Sequence, residues 1–194
     1  MSSEMSSEVV SLLNQGYLAR REQRLEDARK TYADAVNLSR AAKDQALLAQ
    51  SLKRLGGIER DLHNNESALD RYREAAAIQR TLGDALAVAH TIRHIGDILR
   101  ASGQLAAALP FYEEALSIYR NHPDRDTLDL ANTLRGFALL KSARGETEAA
   151  IALWREAGTL YNQAWQEPGS SWTEADMAPG VAESQRQIAL LSAL

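Results

Sequence analysis

The sequence predicts an all-α fold, with four helix-turn-helix repeats followed by a C-terminal capping helix. Three observations carry this. Alanine and leucine abound while β-branched residues are sparse in the 194-residue chain, which favours helix over sheet. Apolar residues recur at helical spacing, as at Leu52, Leu55, Ile58 and Leu62. The pattern also repeats: Ser51-Leu-Lys-Arg-Leu-Gly-Gly-Ile58 returns forty residues on as Thr91-Ile-Arg-His-Ile-Gly-Asp-Ile98. Ala68-Leu-Asp-Arg-Tyr-Arg-Glu-Ala75 returns in the same way as Ala108-Leu-Pro-Phe-Tyr-Glu-Glu-Ala115.

The repeats read as residues 5–44, 45–84, 85–125 and 126–165 of a single domain over 1–194. The first carries Gly16, Ala28, Tyr32 and Ala35, and the fourth carries Ala138, Ala150, Trp154 and Ala157. The fourth is shifted by 42, its extra residues falling in the loop Asn121-His-Pro-Asp-Arg-Asp126. The polar turns His63-Asn-Asn65, Ser102-Gly-Gln104 and Arg144-Gly-Glu146 end one helix and start the next. Asp44, Asp84 and Asp124 mark the links to the following repeat. Small residues have a physical reason: where two helices cross closely, a bulky side chain would hold them apart. Gly16, Gly56, Gly96 and Ala138 stand on the first helices, Ala28, Ala68, Ala108 and Ala150 early on the second ones. Tyr32, Tyr72, Tyr112 and Trp154 fill the larger gap beside them.

Residues 166–180 break the rhythm. Pro168, Gly169, Pro179 and Gly180 read as helix breakers, so this stretch is expected to be a loop with one helical turn near Thr173 to Met177. Val181 to Leu191 then aligns with Leu130 to Leu140, as the first helix of a fifth repeat. A capping helix over 181–193 would cover the last apolar face of the array. Trp165 and Trp172 flank the loop; they either staple it onto the last repeat or form an aromatic anchor for a partner.

The chain contains no cysteine, which excludes disulfides, thiolate metal sites and a cysteine nucleophile. No run of about 18 apolar residues occurs, and the polar, acidic N-terminus lacks the charge pattern of a secretory signal. The expectation is a cytoplasmic protein without a membrane segment, and the alanine- and arginine-rich style suggests a bacterial source. A formal net charge of −4 argues against a nucleic-acid binder.

The small/small/aromatic/small pattern resembles the tetratricopeptide repeat family over residues 9 to 165, in the long variant seen in kinesin light chains and Leu-Gly-Asn repeat scaffolds. Leu82-Gly-Asp84 and Ile95-Gly-Asp97 are similar to that subclass; the usual proline after the second helix is replaced by Arg40, Arg80, Arg120 and Asn162. The resemblance implies a right-handed superhelix whose first helices line a concave, peptide-binding groove. It places there Tyr17, Arg20, Gln50, Lys53, Arg60, His90, Arg93, Arg100, Asn132, Arg135 and Arg186, with Arg54 and His94 at the edge. Lys53 and Arg60, and likewise Arg93 and Arg100, are seven apart and share a helical face. This basic column points to an acidic or carboxylate-bearing peptide, since the arginine fork holds carboxylates in bidentate fashion. The alternative is that Glu59, Asp61 and Asp97 neutralise these cations internally.

Chemistry finds little foothold. His90 and His94 have the i, i+4 spacing of a metal pair, but Thr91 stands where the glutamate of a zinc-protease motif belongs. No phosphate loop and no nucleophile elbow occurs. The expectation is a non-enzymatic, protein-binding module without cofactor or metal. Its alternatives are a self-associating structural module, with a homodimer through the edge helices or the tryptophan region, and the sensor or scaffold part of a larger regulator.

Overall fold

The computed structural model describes residues 2–167 and 169–193; Met1, Leu194 and Pro168, one of the expected helix breakers, lie outside them. Among the described residues there are nine helices and no strand. They are α1 (Ser2–Arg21), α2 (Leu25–Ala42), α3 (Gln45–Asp61), α4 (Asn65–Leu82), α5 (Ala85–Ala101), α6 (Leu105–Asn121), α7 (Thr127–Ala143), α8 (Thr147–Ala164) and α9 (Glu174–Ser192). None is long and apolar enough to cross a membrane. The structure falls into two compact units, Met1–Ile98 and Leu99–Leu194, with the boundary inside α5. In a repeat array each element packs only on its neighbours, so compactness is local.

In the first unit, α1 packs on α2, α2 on α3, and α3 on α4. Its core gathers Val9, Leu13, Tyr32, Val36, Leu48, Leu52, Leu55 and Ile58. The small residues set the helix separation. A Cβ on Gly16 would lie 2.5 Å from Cε1 of Tyr32, and one on Gly56 would lie 3.2 Å from the Tyr72 ring. Asp44 and Asp84 cap α3 and α5, accepting from Leu47 N at 3.0 Å and Ala87 N at 2.9 Å. Ser39 donates to the Ala35 carbonyl at 2.7 Å and meets Ser51 at 3.3 Å, which satisfies two buried hydroxyls between α2 and α3.

In the second unit α6 packs on α7, α7 on α8 and α8 on α9. Trp154, Tyr112 and Leu134 are fully buried. Asp126, not Asp124, caps α7, accepting from Asp129 N at 2.9 Å. The reason is the 42-residue spacing of this repeat, which moves the cap two positions along from Asp84. Second helices are tied within each unit: Arg40 pairs with Glu74 in the first, and Arg120 Nη2 lies 2.6 Å from Glu156 Oε2 in the second. These residues recur at near-repeat spacing, with Arg80 and Glu114 at the intermediate positions and Asn162 at the last.

The last helix corrects the expectation of a loop over 166–180 and a cap from 181. α9 begins at Glu174 and runs through Pro179 and Gly180 to Ser192. Thr173 starts it with a capping box: its Oγ accepts from Asp176 N at 3.3 Å while Asp176 accepts from Thr173 N at 2.8 Å. Pro179 is exposed in the second turn, where water can serve the carbonyl that its missing N–H leaves unpaired. Pro110 sits at the matching exposed position of α6. Gly180 is a contact residue rather than a breaker: a Cβ there would lie 2.8 Å from the Tyr161 ring. The alignment of this helix with α7 has a structural counterpart, since Ser184 is buried as Thr133 is.

Candidate protein-binding face

In the first unit the predicted residues lie on α1, α3 and α5. Tyr17 is 47% exposed, with the Arg21 guanidinium 5.8 Å from its ring centre. Gln50 is exposed and Lys53 half-buried. The arginines are held by acids of the same unit. Arg20 gives Nε and Nη2 to Asp61 Oδ2 at 2.9 and 2.6 Å. Arg60 gives Nη2 and Nε to the other oxygen, Oδ1, at 2.9 and 3.3 Å. Arg93, only 8% exposed, reaches Asp97 Oδ2 at 3.3 Å. Of the acids named from sequence, Asp61 and Asp97 therefore do neutralise cations, whereas Glu59 accepts from Asn64 at 2.8 Å. Arg54 is exposed, with no ion-pair partner among the described residues.

His90 and His94 stand at the centre. Their rings meet edge to face at 4.8 Å, and His94 stacks on Tyr72 at 5.4 Å. Arg60 Nη1 lies 3.2 Å from His94 Nδ1, and Arg93 Nη2 lies 3.4 Å from its Nε2. Burial, then the neighbouring His94 and the cations Lys53, Arg93 and Arg54, push the His90 pKa down to about 2. Burial and Arg93 outweigh Asp97 at His94 and take it to about 4. Both rings are neutral at neutral pH, and guanidinium groups beside them disfavour a metal cation.

The second unit disposes of its cations differently. Arg100 donates Nε to Tyr112 Oη at 3.2 Å. Arg135 makes a two-toothed pair with Glu183 of α9, at 2.7 and 3.1 Å. Asn132 accepts from Tyr161 Oη at 2.8 Å. Arg186 is exposed, with no ion-pair partner among the described residues. On the α8–α9 flank, Trp154, Gly158, Val181, Gln185 and Ile188 help line a groove of about 510 Å³. Trp165 is half-buried and Trp172 is 45% exposed.

A tetratricopeptide repeat family model matches residues 8–81 and 83–163. The chain belongs to the tetratricopeptide repeat family. Solved structures with the same fold include BtubC (BKLC) from P. vanneervenii, at TM-score 0.73 and 15% identity, over 99% of this chain and 84% of that one. Another is a Podosopora anserina protein assigned to the kinesin light chains, with nearly identical TPR-like repeats. It has TM-score 0.68 and 14% identity over 96% of this chain and 94% of that one. A search of curated proteins finds no match. The repeat family is one of interaction and scaffold modules, and a fold of this kind is typically non-catalytic.

Sequence reasoning placed the cations on their helices and offered Asp61 and Asp97 as alternative partners, but it missed that Asp61 reaches Arg20 and that Glu183 holds Arg135. Asp61 contacts Arg20 across 41 residues, and Glu183 contacts Arg135 across 48. Repeat alignment singles out Asp61 among the named acids, because the matching positions are Arg21, Ala101 and Ala143.

Proposed function

We propose that this is a protein-binding module whose first-helix face in the first unit receives an acidic or carboxylate-bearing segment of another protein. The observation that supports this most is the environment of His90: besides burial and the neighbouring His94, the groups that drive its proton off are the cations Lys53, Arg93 and Arg54. A positive potential in a sheltered site attracts carboxylates and contributes chiefly to specificity and association rate.

The cleanest target is Arg54, which is exposed and has no ion-pair partner among the described residues. Arg93 is buried against its own helix and Arg135 is bound to Glu183, so reversing either would disturb the fold. Arg54→Glu reverses charge at the mouth of the site. In a pull-down read by mass spectrometry, this variant should lose the partners that the wild type retains, with its thermal melting curve little changed. Identical capture by both proteins would sink the proposal.

A second reading is self-association through the C-terminal region, which Trp172 at 45% exposure and Leu190 at 59% favour. Light scattering over a concentration series tests it: a mass that does not rise with concentration excludes it.

A further inference from the structure

We infer that Asp61 is an internal ligand of this face, a carboxylate that occupies two arginine forks and thereby selects for partners with clustered acids. The inference rests on the acidic-partner reading above. Its basis is geometric. Each oxygen of Asp61 takes two N–H groups from one guanidinium edge, Oδ2 from Arg20 and Oδ1 from Arg60. This is the chemistry a peptide carboxylate would use with the same arginines. The three side chains are reachable from solvent, at 35% for Arg20, 32% for Arg60 and 24% for Asp61.

The arrangement is peculiar to the second repeat. The arginine recurs as Arg20, Arg60 and Arg100, while the acid does not: Arg21, Ala101 and Ala143 take the place of Asp61. In the second unit Arg100 has an alanine beside it and donates to the Tyr112 hydroxyl instead. The fold therefore accommodates an arginine at this position without an adjacent acid, so stability of the repeat does not by itself account for Asp61. Burial opposes the charge on Arg60, but Tyr72 and Asp61 outweigh it and its pKa stands above the ordinary arginine value. The cation persists, masked by an acid of its own chain.

The mask has a consequence for recognition. A partner with one carboxylate competes with a tethered rival of equal chemistry. A partner with several acids in a short segment can engage the exposed cations and displace Asp61 together. Asp61 thus discriminates polyacidic segments from singly acidic ones.

The test uses the full chain and two synthetic probes: a hexaglutamate peptide, and a peptide of the same length with one glutamate among glutamines. Affinities are measured by fluorescence anisotropy at low salt. Asp61→Asn should tighten the single-glutamate probe roughly two- to fivefold, the range an exposed ion pair supplies, and hexaglutamate less. Arg20→Ala should matter little in the wild type, where Asp61 already occupies that guanidinium, and should weaken binding in the Asp61→Asn background. Should Asp61→Asn loosen α1 from α3, the double variant Asp61→Asn/Arg20→Gln removes both sides of that tie and still unmasks Arg60, so some tightening should persist. If the wild type binds hexaglutamate and no Asp61 variant tightens the single-glutamate probe, the inference is wrong and the acidic-partner reading stands. If neither probe binds any folded variant, the acidic-partner reading fails and takes the inference with it.

Discussion

The turn that joins paired helices puts Gln23 and His63 in the left-handed region in the first unit, at φ 61° and 63°. The same turns in the second unit use Gly103 and Gly145, at φ 75° and 74°. One backbone geometry is thus built with side chains that resist it and again with a residue that does not. The charged faces differ in a parallel way. The first unit crowds cations around two neutral imidazoles and fastens its arginines to Asp61 and Asp97. The second spreads its cations and ties Arg135 to Glu183. The unit with more strained turns also carries the desolvated polar centre. Conformational strain and buried polar groups concentrate where a surface is shaped for contact rather than for stability alone.

The sharpest way to break this comparison is through the shared packing rule. Gly16→Ala in the first unit and Gly180→Ala in the second each drive a methyl group to under 3 Å from a tyrosine ring. Overpacking of this kind costs about 1–3 kcal/mol, partly offset by the helix preference of alanine over glycine, about 1 kcal/mol. Gly56→Ala, where the contact is 3.2 Å, should be close to neutral. Urea denaturation of the three variants checks the order; equal effects would mean that ring proximity does not limit these sites.

Acid should single out the first unit. Burial holds His90 and His94 neutral, so the unfolded chain binds protons that the folded one refuses. Their contribution is whole above the ordinary histidine pKa of about 6.5 and is lost as pH falls toward about 4 for His94 and about 2 for His90. The urea midpoint should therefore drop between pH 7 and pH 5 in the wild type. It should drop less in His90→Gln/His94→Gln, and identical drops would remove the histidines from the account. The smallest effect belongs to the turns. His63→Gly should stabilise by up to about 1 kcal/mol, and Gly103→Ala should destabilise by a similar amount. Thermal melts that show no difference would mean the left-handed conformation carries no strain at His63.

The array itself was legible because its causes are local and periodic. Small residues at helix crossings, tyrosines beside them and polar turns between them each recur at one spacing, so every copy supports the others. The start of α9 was not legible, because proline and glycine have two meanings. Pro179 would break a central helical turn yet is harmless near an exposed start, and Gly180 is required by the Tyr161 ring rather than by a bend. The charged site was half legible. Helical spacing shows which cations share a face, but not that Asp61 or Glu183 folds back on them, because those pairs join residues 41 and 48 apart.

The arginine–glutamate ties between second helices have one more implication. Arg40 and Glu74 are 34 residues apart, Arg120 and Glu156 are 36 apart, and Arg80 and Glu114 stand between them. Excising residues 45–84 as a block would leave Arg40 and Glu114 at the same sequence spacing that separates Arg40 from Glu74. The code on these helices is therefore indifferent to how many copies lie between its ends. Gene duplication or loss of a whole repeat would therefore keep the sequence spacing of these pairs.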